Sequence, residues 1–185
     1  GGYLVKDRLW FFGAYNRQKE ETLTQIIRDL NAPGAPARGD EVSRDDERDL
    51  FSGKLTYRLG NSQRLWASVN GDPSTREGNL FAISGPESTW KGVQESGSVD
   101  PIVTYEGTFG PTFNLRAFYG RHKERLEYAG EGKLIPLSRD DTVSPIIRTG
   151  GFAAAFQDSE FKRDQFGVTA TKFLGPHELK GGVDW

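Results

Sequence analysis

Four short polar turns punctuate this chain, near Asp7, Asn61, Pro111 and Pro176, and three long polar, Gly/Pro-rich stretches lie between them, at about 19–48, 72–98 and 123–160. The segments flanking each turn alternate apolar and polar residues one by one, the pattern of a strand whose two faces meet different surroundings. Phe51, Leu55, Tyr57 and Leu59 alternate with Ser52, Lys54, Thr56 and Arg58. Across the turn 60–63, Leu65, Ala67 and Val69 alternate with Arg64, Ser68 and Asn70, Trp66 being the exception. Val103, Tyr105 and Phe109 oppose Thr104, Glu106 and Thr108, and Phe113, Leu115, Ala117 and Tyr119 oppose Asn114 and Arg116, with Phe118 breaking the polar side. The last strand sets Leu179, Val183 and Trp185 against Glu178, Lys180 and Asp184. Residues 9–15 are apolar on both sides, and a strand is expected at 1–5, before the charged turn Lys6-Asp7-Arg8. Around Phe166 the pattern does not fix the faces.

Compact soluble domains seldom hold loops beyond ~12–15 residues, and a sandwich turns every ~8–12. Short turns at one end and long loops at the other are the arrangement of an outer-membrane β-barrel. Lipid offers no hydrogen bonds to the backbone, so only helices and closed barrels span it. A barrel wall is one residue thick, which forces alternation, and aromatics gather at the two interfaces. Trp10, Phe11, Tyr57, Phe109, Phe113 and Phe173 all lie close to the tight turns. The expected fold is therefore all-β: part of an antiparallel up-and-down transmembrane barrel, with about 7–8 strands over residues 1–185 as one domain. Spanning strands of ~9–11 residues are expected.

Composition agrees and narrows the function. Aromatics are 12% and glycines 23 although only 35% of residues are hydrophobic, which fits thinly spread strands rather than disorder or a helical domain. Net charge is −2, so a nucleic-acid partner is not expected. The longest charge-free stretches, such as 78–86 and 149–157, run nine residues and are too short for a membrane helix of ~20 apolar residues. There is no cysteine, hence no disulfide or thiolate chemistry. Methionine is also absent, and the chain is expected to be an excerpt that has lost any signal peptide.

The opening Gly1-Gly2-Tyr3-Leu4-Val5-Lys6-Asp7-Arg8-Leu9-Trp10-Phe11-Phe12-Gly13-Ala14-Tyr15 closely resembles a hairpin of TonB-dependent outer-membrane receptors. The likeness is to the subgroup similar to the Oar protein, where a GGPI-x-KD-x-x-FFFG-x-Y stretch opens the barrel. Tyr3 stands where that subgroup has proline, a departure expected to touch only the turn. Lys54-Leu55-Thr56-Tyr57, Gly71-Asp72-Pro73 and the closing 177–185 look like later strands of the same family. The resemblance implies a 22-stranded barrel with an N-terminal plug, in the outer membrane of a Gram-negative bacterium. It implies uptake of a bulky, scarce nutrient driven by the TonB–ExbB–ExbD complex. The expected partners are outer-membrane lipid, the protein's own plug and an unidentified nutrient. A passive porin-like channel and a secreted β-rich binding or adhesion module are the alternatives. A plug upstream would distinguish the first alternative; a second apolar surface covering the Leu55 face would mark the second.

No catalytic arrangement is present: there is no G-x-S-x-G and no phosphate loop, so no enzyme is expected. His122, ending a strand, and His177, in a turn at the opposite end, are too far apart to share a metal. Acidic clusters at Asp40, Glu41, Asp45, Asp46, Glu47, Asp49 and at Asp140, Asp141 raise loop calcium. Arg44, Arg48 and Arg139 among them argue for solvated charged loops instead, and no cofactor is expected. Phe81, Trp90, Tyr128 and Phe152 are the candidate ligand-facing loop residues, packing between loops being the other reading. On the polar face Lys54, Arg58, Arg64, Glu106 and Arg116 are expected to pair with one another or with the plug.

Overall fold

The computed structural model describes residues 1–130, 135–144, 146–152 and 157–185. Its strands are β1 (Gly2–Val5), β2 (Leu9–Gln25), β3 (Glu41–Arg58), β4 (Gln63–Gly71), β5 (Ser74–Asn79), β6 (Lys91–Phe109), β7 (Phe113–Gly130), β8 (Leu137–Asp140), β9 (Ile147–Gly150), β10 (Gln157–Leu174) and β11 (His177–Asp184). All but β8 and β9 form one antiparallel meander in the order β1-β2-β3-β4-β6-β7-β10-β11. β5 pairs with β3 and β6 in the register that β4 uses, so β4 and β5 are one strand interrupted at Asp72-Pro73. Proline cannot donate to a ladder, and the Asp72 carboxylate accepts from Ser98 N and Oγ at 2.8 and 2.9 Å, bridging the gap. The expected pairing of the strands around Phe51–Arg58 and Arg64–Asn70 is present, Arg58 opposite Arg64.

The registers sort side chains into two unlike faces. One row across the sheet runs Phe11, Leu55, Ala67, Val103, Tyr119 and Phe166, and Phe166 and Trp185 exchange backbone hydrogen bonds. The next runs Val5, Leu9, Tyr57, Leu65, Tyr105, Ala117, Val168 and Val183. These rows settle the faces around Phe166. The opposite face carries Lys54, Arg58, Arg64, Glu106, Arg116 and Lys180. The apolar face is uncovered: Phe11, Leu55, Val103, Tyr119, Phe166 and Val183 are all exposed.

The turn ends are staggered. From the Phe11 row, the last apolar residue before each turn lies two residues away at Leu9, four at Leu59, six at Phe109 and eight at Leu174. Successive hairpins therefore step by two residues, or one residue per strand.

Two expectations are corrected. Strand takes up about half of each of the stretches 19–48, 72–98 and 123–160, and β2, β3, β6, β7 and β10 run 17–19 residues. Beyond the apolar band both faces are polar, and opposed charges keep the strands paired. Across strands Arg17 and Lys19 meet Glu47, Lys123 meets Glu160 and Arg125 lies 3.7 Å from Asp158, while Lys162 meets Glu160 along β10 itself. The two lysines hold the Glu160 carboxyl down to about 2. Exposed pairs of this kind are screened by solvent and individually weak, so it is their number along the strands that counts. Tyr3 lies in β1 opposite Trp10 rather than in the turn, with the register shift between Tyr3 and Val5.

Candidate functional site

The polar face is hollowed near the turns into a groove of about 620 Å3 crossing six strands. Arg58, Arg64, Glu106, Arg116, Thr169, Thr171 and Lys180 line it, with Asn61 and Ser62 at its rim. Alternation puts them there: each belongs to the polar set of its strand, and hairpin registers bring the sets together. Glu106 accepts from Arg64 at 2.8 Å and lies 3.6 Å from Arg116 Nε. Arg64 also stacks 4.7 Å from the Trp66 ring centre, and Arg58 lies 5.9 Å over Trp10. The two tryptophans that break the polar pattern are thus platforms for cations. Arg58 and Lys180 form no ion pair among the described residues. Four cations and one carboxylate suit a carboxylate or phosphate ligand, or an acidic surface of a partner. Lys180 belonged to the polar side in the sequence; its closeness to Arg116 depends on β10 lying between them and needs the register.

Farther along the same face, His122 Nδ1 lies 2.5 Å from Asp100 Oδ1, and Asp100 also accepts from Ser98 at 3.2 Å. Asp100 raises the His122 pKa above its ordinary value; partial burial opposes this, and Glu124 at 3.6 Å assists. His122 is inside β7, not at its end. His177 starts β11, at the turn side.

The long connections pack on one another. Arg148 donates its backbone N–H to Ser84 O at 2.9 Å and its guanidinium to Ser84 Oγ at 2.7 Å. Ser88 Oγ donates to Gly150 O at 2.7 Å. Phe81, Tyr128 and Phe152 come together here, Phe81 edge-on to Phe152 at 5.1 Å. Trp90 and Phe152 are 2% and 4% exposed, so these two rings turn inward, and the Trp90 indole donates to Gly85 O at 3.0 Å. Phe81 and Tyr128 stay half-buried, and Tyr128 belongs to β7, opposite Gln94 and Gln157, rather than to a loop.

The acidic clusters do not converge. Asp46 faces Arg44 and Arg76 on the polar side, while Glu47 and Asp49 meet Arg17, Lys19 and Tyr15 on the other. Burial pushes the Asp46 pKa up, but Arg76 and Arg44 more than offset it and leave it lowered. Asp140 accepts from Thr142 N at 2.9 Å and Asp141 pairs with Arg139. Among the described residues no group of three His, Cys, Asp or Glu is placed to hold a metal ion. Comparison with protein-family models, with curated proteins and with solved structures finds no match for the chain.

Proposed function

We propose that this sheet is a sector of an outer-membrane β-barrel, one of the TonB-dependent receptors, that takes up a bulky, scarce nutrient. The observation that carries the proposal is the apolar band, which is exposed, crosses eight strands with Lys172 the charged residue in it, near the turns, and is bounded on both sides by polar groups. The stagger supports closure. One residue is ~3.4 Å along a strand and strands lie ~4.8 Å apart, so one residue per strand is a tilt of about 35°. Barrels tilt their strands by ~35–45°. In a membrane this places the turns of all four hairpins at one level. The band runs about eight residues from Leu59 to Phe51 and from Leu174 to Phe166, roughly 22 Å of height after the tilt.

Energy coupling rests on the resemblance of the opening hairpin and on the polar face. The cationic groove sits on the lumen side near the turns, where a plug or an anionic nutrient would meet it. The test is electrical and needs no known ligand. Full-length protein in planar bilayers should conduct no large steady current, because a plug fills the lumen. Steady, ohmic conductance would establish the passive channel instead. Recovery of the native protein in a wash-resistant soluble fraction would point to the secreted module.

A further inference from the structure

The far margin of the apolar face contains the same cross-strand arrangement twice. In one copy Tyr15 lies opposite Phe51 and Arg17 opposite Asp49. In the other Tyr119 lies opposite Phe166 and Arg121 opposite Asp164. Both tyrosine hydroxyls donate to the aspartate that the arginine meets. Tyr15 donates to Asp49, with Arg17 Nε 3.9 Å from that carboxylate. Tyr119 donates to Asp164 at 2.6 Å, and Arg121 donates twice, at 2.7 and 3.2 Å. A Tyr-x-Arg strand thus clamps an Asp-x-Phe strand in both places.

The two clamps lie four residues apart in register, since Tyr119 shares its row with Phe11 and not with Tyr15. Measured from the turns they coincide. Tyr15 and Tyr119 each stand six residues from the start of their strands at Leu9 and Phe113. Phe51 stands eight residues from Leu59, and Phe166 eight from Leu174. Four strand steps separate β2 from β7, and a stagger of one residue per strand cancels the four-residue offset. Between this level and the turns the face is apolar apart from Gln63 and Lys172, both close to the turns; beyond it come Arg17, Asp49, Arg121 and Asp164. Arg17 also donates to Glu47, and the Arg17 and Arg121 side chains remain 47% and 50% exposed, so both guanidinium groups keep surface open to solvent.

We propose that the two Tyr-x-Arg/Asp-x-Phe clamps are matched anchors for a lipid bilayer. Their rings lie at the end of the acyl layer, and their hydroxyl and guanidinium groups lie among headgroup phosphates at one common depth. This rests on the membrane-spanning reading above. Tyrosine is suited to that level because its ring is apolar and its tip is wet. The aspartate holds the tyrosine in each clamp, Asp164 holds Arg121 and Glu47 holds Arg17. A guanidinium with five N–H donors has more than these carboxylates use, which suits it to phosphate as well.

Residues 1–185 contain no cysteine, so a thiol introduced in this sheet has no competitor within it, and labelling of the full-length parent without an added cysteine serves as the control. Gly13→Cys and Ala117→Cys each place a nitroxide on the apolar face two residues short of a clamp tyrosine, and a side chain at Gly13 meets nothing within 4 Å. In full-length protein reconstituted into phosphatidylcholine vesicles, collision with oxygen and with a water-soluble nickel chelate gives each label's depth. The expected result is the same depth for both, within ~3 Å. If rows lay parallel to the membrane, the four-residue offset would separate them by ~13 Å along the strands, and the common plane would be overturned. If both labels met water, the membrane-spanning reading itself would fall. For anchoring, Tyr15→Leu/Tyr119→Leu should shift both labels by several Å; unchanged depths would overturn that role. Should this variant fail to insert, Tyr15→Phe/Tyr119→Phe, which removes only the hydroxyls, gives the same readout.

Discussion

Leu55 and Thr56 are adjacent in the chain and belong to opposite faces. Leu55 lies between Phe11 and Ala67, four residues from Leu59 at one edge of the band and four from Phe51 at the other. If the face meets lipid as proposed, an arginine there would have no water within reach, and Leu55→Arg should cost ~2–4 kcal/mol in a bilayer. Thr56 lies between Trp10 and Trp66, with Lys54 and Arg58 as its neighbours on the same face. Those neighbours are cations, so the informative partner variant is Thr56→Glu, which gains two opposite charges and should be close to neutral. Unfolding free energies of both variants in vesicles decide this; a larger cost at Thr56 would show that the faces are exchanged, and equal costs that the assignment of faces is wrong. His122 makes a second prediction. Asp100 raises its pKa in the folded protein above the unfolded value of ~6.5. The contribution of its charged form is therefore complete below ~6.5 and is lost as pH rises through the folded pKa. Stability should decline as pH rises above ~6.5, and His122→Gln should flatten the profile there. A wild-type profile already flat over that window would remove the His122–Asp100 pair from the account.

At the scale of elements, the turns and strand faces were legible and the strand lengths were not. Alternation reveals a strand only where its two faces see different solvents, as from Phe51 to Leu59. Where both faces are wet, as in Arg17-Gln18-Lys19-Glu20, the same backbone continues with no pattern to show it, and its partner is fixed by cross-strand charge instead. Phe81, Tyr128 and Phe152 could be chosen from the sequence as unusual loop aromatics. Their meeting could not, because it requires residues from three separate segments. The docking of the loops has a specific mechanical basis. A side chain at Gly85 would place its Cβ 1.9 Å from the Arg148 carbonyl oxygen, so only glycine allows the approach. Gly85→Val should push β9 off the loop that carries Ser84 and Ser88, while the long strands stay paired. Brief trypsin treatment should then cut at Arg139 or Arg148 much faster than in the parent. An unchanged cleavage pattern would mean that other contacts hold the β8–β9 hairpin.

For the molecule as a whole, the sheet is well connected inside and unfinished outside. β1 and β11 each have a single neighbour, leaving two edges whose N–H and C=O groups are open to another strand. The apolar face adds a continuous exposed surface of a kind that soluble monomers do not carry. Opposing association, charged residues make up 27% of the chain, but the two signs nearly cancel to −2 and provide little long-range repulsion. Lys6, Arg8 and Lys180 lie on the edge strands or their turns, too few to shield an eight-strand face. Attraction should win. Residues 1–185 alone, refolded into detergent-free buffer, should appear in sedimentation velocity as a broad distribution of large species. In micelles the same chain should retain the strand signal in circular dichroism and sediment as one small complex. A sharp monomer peak in plain buffer would mean that the apolar rows are covered by something within the chain, and the membrane reading would have to be abandoned.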